Sequence, residues 1–289
     1  MKRQTNWYGG ILFTLLIHTS IATALAPLGP PRALIGSGHW HVGGDLSHSS
    51  TNLEAYGTYR EVLSGVPFSV YSNAEIKNLK TNALFAQAGY GLHDNWDIYG
   101  RLGLSDARGD LNGITNPASS ATTYGQGTER YAIDSSMAFA WGLGSRVTFL
   151  QQKDISWGTT LQMNWYNPKP NRSQWIPPAS PGESVTVDID LQYWEIQLSA
   201  GPTINLGKVW IYGGPFLHFV NGDLDYHGTW FDNGTSGPVS ATYDVREQSI
   251  IGGFVGAQWI IADNIYCYLD GQATGDAWGL GIGTLYRVK

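Results

Sequence analysis

The sequence contains little cysteine and little charge, and it has no long apolar run beyond its first residues. Its single cysteine, Cys267, has no partner for an intramolecular disulfide. Charged residues make up 14% of the 289 residues, against roughly a quarter in an average soluble domain. After residue 26 no apolar run reaches the ~20 residues that a membrane-spanning helix needs. These absences exclude a disulfide-stapled domain and a bundle of membrane helices.

Basic residues are not in excess either. The 17 Lys and Arg residues are outnumbered by 23 Asp and Glu residues, which gives a formal net charge of −6. A nucleic-acid-binding domain carries a basic face, so we expect no nucleic acid partner. His39 and His41 lie on one strand face, but no third metal ligand is identifiable in the sequence. We therefore expect no metal and no other cofactor.

The first 26 residues have the pattern of a secretory signal peptide. Lys2 and Arg3 form its positive start, residues 10–17 form a short apolar core, and residues 24–26 (Ala-Leu-Ala) match the small-x-small cleavage pattern. The apolar core is too short for a transmembrane anchor. We expect residues 1–26 to be a cleavable signal peptide and residues 27–289 to form a single domain.

The remaining sequence alternates with a period of two in about ten segments. The clearest hairpin covers residues 84–104, with apolar residues at every second position on both sides of a turn at residues 93–95. Polar residues such as Gln87, Asp97 and Arg101 lie between them. Alternation over this length indicates β-strands with one apolar and one polar face.

Short and long connections alternate along the chain. The predicted short turns are at residues 93–95, 150–154, 205–208 and 261–264, and the predicted long loops are at residues 48–78, 106–132, 168–184 and 221–243. Short periplasmic turns opposite long extracellular loops are typical of outer-membrane barrels.

Aromatic residues fall near both ends of the predicted strands, eight to ten residues apart. This spacing corresponds to roughly 20–25 Å across a tilted strand, the height of an outer-membrane apolar band between two aromatic girdles. The predicted girdle residues are Trp40, Trp96, Trp157, Trp165, Trp194, Trp259, Trp278 and Tyr286.

These patterns, together with the C-terminal segment, resemble the bacterial outer-membrane β-barrel superfamily over the whole predicted domain. Gly283, Tyr286 and Val288 match the C-terminal assembly signal of that superfamily, with Val288 in place of the usual final aromatic residue. The resemblance implies an all-β, antiparallel up-and-down transmembrane barrel of about ten strands, with eight or twelve as alternatives. It also implies an outer-membrane location, and as partners the barrel-assembly machinery, outer-membrane lipid and lipopolysaccharide.

Several charged residues are predicted to point into the barrel, where a buried charge needs a partner. We interpret them as a structural network in a largely occluded lumen, since a ten-stranded barrel is too narrow for an open aqueous channel. The alternative is that they line a narrow channel for a small solute. The predicted network consists of Asp97, Arg101, Arg146, Glu195 and Asp270.

Two motifs suggest hydrolase chemistry. Asp225 and His227, on the last long loop, resemble the Asp-x-His pair of omptin proteases, although the nearest Asp-x-Asp, at residues 188–190, comes one loop too late. His48 and Ser50 resemble the histidine–serine pair of small barrel deacylases, but the rest of that pattern is not identifiable. The sequence thus favours a barrel that is not an enzyme, with an omptin-like protease as an alternative.

The predicted long loops are the expected working surface, because loops carry most binding sites on rigid scaffolds. Their aromatic residues are suited to contacting a surface ligand. They are Tyr59, Tyr71, Tyr124, Trp175, Tyr226 and Trp230. We expect a structural or surface-interaction role.

Overall fold

The structure is a computed structural model that describes residues 25–63, 65–113, 130–176 and 182–288. These residues form twelve β-strands. In chain order they are β1 (Trp40–Leu63), β2 (Val66–His93), β3 (Trp96–Asn112), β4 (Arg130–Gln152), β5 (Ile155–Tyr166), β6 (Asn171–Trp175), β7 (Glu183–Asn205), β8 (Val209–Asp232), β9 (Thr235–Glu247), β10 (Ile251–Ala262), β11 (Ile265–Thr274) and β12 (Ala277–Val288). The first 24 residues of the predicted signal peptide lie outside the described residues, as does Tyr124.

Ten of these strands close into a ring in the order β1, β2, β3, β4, β5, β7, β8, β10, β11 and β12. The ring closes through antiparallel pairing of β12 with β1, from Trp40 opposite Val288 to Thr51 opposite Ala277. A closed ring pairs each of its strands on both sides and leaves no open sheet edge, so its backbone can lie in lipid. The predicted up-and-down barrel of about ten strands is confirmed.

Four tight connections lie at one end of this ring. They join β2 to β3, β4 to β5, β7 to β8 and β10 to β11. Trp40 and Val288, the outer ends of the first and last ring strands, lie at the same end. In an outer-membrane barrel this is the periplasmic end. No helix among the described residues is long and apolar enough to cross a membrane.

At the other end the strands continue well beyond the ring. β1 and β2, for example, stay paired up to Leu63 opposite Val66. β9 pairs with β8 on one side and with β1 on the other, and so replaces β10, β11 and β12 at this height. β6 pairs with β7 and lies beside β4, where Asn171 donates a hydrogen bond to the Ala132 carbonyl. A second, narrower barrel of eight strand segments therefore stands on the ring.

We call this second barrel the extracellular extension. It consists of residues 53–63, 66–79, 107–112, 130–135, 171–175, 183–192, 221–232 and 235–247.

Where the structure describes the predicted long loops, most of their residues form strands of this extension, whereas residues 168–170, between β5 and β6, form no strand. The reason is that the apolar residues change from the outward face to the inward face along the strand. In the ring part of β1, Val42 and Leu46 point outward and are exposed, whereas in the extension Leu53 and Ala55 point inward and are buried. Apolar residues face lipid in the ring and face the interior above it. The apolar-outward pattern therefore ends at the membrane boundary while the strand continues.

Candidate functional site

The outer surface of the ring is a continuous apolar belt. Leu102 is 63% exposed and Leu143 is 52% exposed, both at the middle of their strands. A soluble protein does not expose so large an apolar surface to water. Here the apolar surface runs around the whole ring, as it does in a barrel that is surrounded by lipid. The belt shows that the ring lies in a membrane.

The predicted girdle residues point outward at the two edges of this belt. Trp157 and Trp165, for example, lie eight residues apart on β5. Trp40, Trp96, Trp157 and Tyr286 are exposed, and the others are partly exposed. Trp165 and Trp194 contact each other at 6.2 Å between ring centroids. Aromatic residues at both edges fix the height of a barrel in its bilayer. The protein is a transmembrane β-barrel of the bacterial outer-membrane type.

Residues 25–35 run through the lumen of the ring, and residues 37–39, which lead to β1, are exposed at its periplasmic end. Leu25 and Leu28 are fully buried there. The lumen wall is lined by glycines where this segment approaches: a Cβ on Gly281 would lie 2.4 Å from Pro27, and one on Gly158 would lie 1.9 Å from the Pro31 carbonyl oxygen. The inward glycines thus make room for a segment of the same chain. We call residues 25–39 the N-terminal plug.

The predicted lumen charges hold this plug in place. The Asp270 carboxylate accepts a hydrogen bond of 2.7 Å from the Gly29 N–H. Asp97 accepts from the N–H groups of Leu34 and Ile35. The Arg146 guanidinium donates to the Leu28 carbonyl at 3.2 Å. Charged groups that bind backbone in this way secure a segment that has no strand ladder of its own.

The other predicted lumen charges have partners that the sequence did not reveal. Arg101 pairs with Asp45, and both side chains are completely buried. Glu195 accepts a 3.0 Å hydrogen bond from the Tyr166 hydroxyl and lies 3.2 Å from His218. Asp45 and His218 could have been found from the strand phase, because both occupy inward positions. The plug could not be found in this way, because its residues do not alternate between apolar and polar.

Apolar side chains fill the interior of the extension. Buried residues from seven of its eight strands form one cluster, which also reaches down to Phe85 and Ala140 in the ring; from β6, the partly buried Trp175 packs against it. The cluster includes Tyr59 and Tyr226, and Trp230 packs beside them. These three aromatic residues were predicted to contact a surface ligand; that prediction is wrong, because they point inward as core. Tyr71, in contrast, is 72% exposed.

Asp225 and His227 lie on the outer wall of the extension. Both are exposed, and the β7–β8 ladder places Asp190 opposite Asp225 and Asp188 opposite His227. The two acidic motifs that seemed one loop apart in the sequence are therefore neighbours. Within the parts of the chain that the structure describes, no group of three or more His, Cys, Asp or Glu side chains is placed to hold a metal ion.

Two like-charge pairs lie side by side on this wall. Asp190 is opposite Asp225, and Asp223 is opposite Asp244 on β9. All four side chains are exposed. We call Asp190, Asp223, Asp225 and Asp244 the acidic wall. Like charges directly opposite each other destabilise a sheet.

The residues of the predicted assembly signal lie on β12, the strand that closes the ring. Tyr286 and Val288 are exposed on the lipid side. A Cβ on Gly283 would lie 2.3 Å from the inward Tyr268 ring, so this position admits only glycine without a shift of that ring.

No family model and no curated protein matches the chain. Among solved structures, the outer-membrane protease OmpT from Escherichia coli is similar at a TM-score of 0.42 and 12% identity, over 92% of this chain and 98% of that one. The translocator domain of the autotransporter NalP from Neisseria meningitidis gives a TM-score of 0.40 at 10% identity, over 88% and 90% of the two chains. An outer-membrane channel from Pseudomonas putida F1 gives 0.30 at 11%, over 92% and 100%. The three differ in function, and at these scores the likeness identifies no role for this chain.

Proposed function

We propose that the protein is a non-conducting outer-membrane barrel that acts through the outer surface of its extracellular extension. The observation that carries this proposal is the filled interior: the plug occupies the lumen of the ring and the apolar cluster occupies the extension. Between them, beside Glu195 and His218, the described residues enclose a cavity of about 10 Å³. That volume corresponds to about one water molecule.

Planar-bilayer recording tests the closed lumen. We expect no discrete openings from the full chain. Removal of residues 27–37 should also give none, because the apolar cluster of the extension still blocks the path. Discrete openings whose size changes in Arg101→Ala would favour the alternative, a narrow channel lined by the lumen charges.

The acidic wall is the part of the extension best suited to recognition. Its two like-charge pairs lower the stability of the sheet, and a partner with basic groups would relieve that repulsion on binding. A surface groove of about 640 Å³ lies next to it, lined by His227, Asp188, Arg60 and Phe68 among others. We propose a basic protein segment as the surface ligand.

A lysine-rich synthetic peptide serves as the probe for the acidic wall. Asp190→Asn with Asp225→Asn should weaken its binding severalfold at low salt, while wild-type binding should weaken as salt rises. The control is Asp154→Asn with Asp263→Asn, the same loss of two negative charges at exposed periplasmic turns. Equal affinity of both variants would contradict recognition by this wall.

An omptin-like peptidase is a second candidate, favoured by the cross-strand neighbours Asp188 and His227. An imidazole beside carboxylates can activate water for attack on a peptide bond. His227→Ala should then abolish cleavage of basic peptides, whereas His93→Ala, an exposed histidine at the periplasmic end, should not. If the wild-type chain cleaves no basic peptide, the peptidase candidate is wrong and binding is the only proposed role.

The same proposal includes how the barrel is inserted into the membrane and which lipids surround it. The C-terminal residues Gly283, Tyr286 and Val288 would be recognised by the barrel-assembly machinery, and the apolar belt would contact outer-membrane lipid and lipopolysaccharide. Residues before the plug would act as the export signal.

A further inference from the structure

The plug crosses the lumen of the ring without forming a strand. Residues 25–35 belong to no strand of the sheet. Backbone pairing with the ring begins at the periplasmic exit, where the Gly38 N–H donates to the Gly91 carbonyl at 2.9 Å and the Gly91 N–H donates to the His39 carbonyl at 3.0 Å. Inside the lumen the plug is held by side chains of the barrel wall. It lies there as a ligand lies in a binding site.

The wall side chains bind the plug through its backbone. The Gln272 amide donates to the Ala26 carbonyl at 2.9 Å. The Ala33 N–H donates to the Thr148 hydroxyl at 2.9 Å. The other wall residues that bind plug backbone include Asp97, Arg146 and Asp270. Every peptide carries the same backbone groups, so these contacts recognise an extended peptide and leave much of its sequence free.

Two plug side chains fill slots in the wall. Leu28 packs in an apolar cluster with Tyr212 and Phe216 of β8. The Arg32 guanidinium lies over the ring of Trp210, also on β8, at 3.7 Å from the ring centroid. A cation over an indole ring is attracted by the negative face of that ring. The wall therefore favours an apolar residue and, four positions later, an arginine.

Gly29 occupies a position that disfavours other residues. Its φ is +67°, in the left-handed region, and its N–H is the donor to Asp270. A Cβ at Gly29 would lie 3.4 Å from the Arg146 guanidinium. Both the backbone conformation and the close approach favour glycine. With the slots for Leu28 and Arg32, this defines a Leu-Gly-Pro-Pro-Arg core at residues 28–32.

The binding residues come from widely separated strands of the ring. Asp97 is on β3 and Arg146 is on β4, whereas Trp210 is on β8 and Asp270 is on β11. These strands surround one lumen because β12 pairs with β1 and closes the ring. The site is therefore complete once the ring has closed, and the plug docks after that step.

Buried wall carboxylates would lose hydrogen-bond donors if the plug were absent. Asp97 is 0% exposed and Asp270 is 2% exposed. A buried carboxylate that loses its donors is costly. A wall that served only to fill the lumen would be better built from apolar side chains. Buried carboxylates that accept from a segment outside the sheet are the mark of a binding site.

The plug lies in the lumen with its amino end innermost. A Cβ on Gly279 would lie 2.5 Å from the Leu25 Cβ, and Leu25 belongs to the same apolar cluster as Phe216. Beyond it, the apolar cluster of the extension fills the interior. Residues 37–39, at the other end, are exposed. A peptide bound here has its amino end against packed side chains and its carboxyl end open to the periplasm.

We propose that the lumen of the ring is a peptide-binding site entered from the periplasm, and that the plug is the ligand bound in it. The ligand class is an extended peptide with a Leu-Gly-Pro-Pro-Arg core that enters with its amino end first. A separate peptide of this class takes the place of the plug once the link between plug and β1 is cut. This site goes beyond the surface recognition proposed for the extension and uses none of the acidic wall.

The test is exchange of the plug in a nicked barrel. The mature chain carries a site for a specific protease, inserted between the exposed residues Ser37 and Gly38, and is cut after it has folded. A fluorescent peptide of residues 25–37 is then added. Fluorescence anisotropy should show saturable binding of this peptide, and mass spectrometry should show release of the original plug. The circular dichroism of the barrel should stay unchanged.

A peptide of the same residues in reverse order is the control for sequence. It should bind much more weakly, because its glycine and arginine no longer meet Asp270 and Trp210. In the barrel, Asp270→Asn should weaken binding of the plug peptide about tenfold, since a charged acceptor is replaced by a neutral one. Asp263→Asn, in the exposed β10–β11 turn, should leave binding unchanged.

Longer peptides test the direction of entry. A short Gly-Ser segment added before Leu25 should abolish binding, whereas the same segment added after Ser37 should be tolerated. Equal tolerance of both additions would refute entry by the amino end. A cut plug that neither leaves nor exchanges on warming that preserves the barrel would overturn the proposal. Loss of the plug without binding of the added peptide, or equal binding of the reversed peptide, would overturn it as well.

Discussion

Arg101 on β3 and Asp45 on β1 form a salt bridge across the barrel interior, with both side chains completely buried. Each charge depends on the other, because neither has contact with solvent. Arg101 also donates to Asn164 at 3.0 Å and stacks over the Phe85 ring.

Removal of either partner should destabilise the barrel strongly. Asp45→Asn or Arg101→Met should lower the free energy of unfolding by about 3–5 kcal/mol, since each leaves an uncompensated buried charge. The double variant should lose less than the sum of the two. Urea unfolding in lipid vesicles measures this. The control is the exposed pair Arg130 and Asp110, where Asp110→Asn should cost below about 1 kcal/mol. Additive single effects at the buried pair would contradict a direct interaction.

A charge on the lipid belt should be far more harmful than the same charge above it. Leu198→Arg, at mid-membrane on β7, should cost about 2–4 kcal/mol, because a cation is placed in the hydrocarbon. Gln192→Arg is the matched control: it lies on the same strand and the same outward face, but above the girdle residue Trp194. Equal unfolding free energies in vesicles would show that the belt does not lie in lipid.

The orientation of the barrel predicts which positions are reachable from outside an intact cell. In a Cys267→Ser background, a cysteine introduced at Ser236, in the extension, should react with an impermeant maleimide. One introduced at Asp263, in the β10–β11 turn, should react only after the outer membrane is opened. The reverse labelling pattern would show that the barrel has the opposite orientation in the membrane.

The mature chain should begin at Leu25. Leu25 and Ala26 are 0% and 2% exposed inside the barrel, and the Ala26 carbonyl accepts a 2.9 Å hydrogen bond from Gln272. Cleavage after Ala26 would remove both residues from the plug. The residues Ala22-Thr23-Ala24 also match the small-x-small pattern, and cleavage there keeps the plug complete. N-terminal sequencing of protein isolated from outer membranes checks this, and a first residue of Pro27 would refute it.

The sequence by itself determined the barrel, its approximate strand number, its short turns and its girdle rows. These follow from local rules: alternation with period two predicts a strand, and apolar outward residues predict a lipid contact. The same rule mistook the extension for loops, because the apolar residues of β1 change from outward at Leu46 to inward at Leu53 while the strand continues.

Only the tertiary structure decided which residues meet across the barrel. Arg101 was predicted to belong to a network, but its partner Asp45 lies 56 residues away in sequence. Asp97 and Asp270 hold a plug that shows no periodicity. Strand periodicity gives the face on which a side chain points. The identity of the residue it contacts depends on ring closure and on the register between strands, and these are set by pairing across the whole sheet.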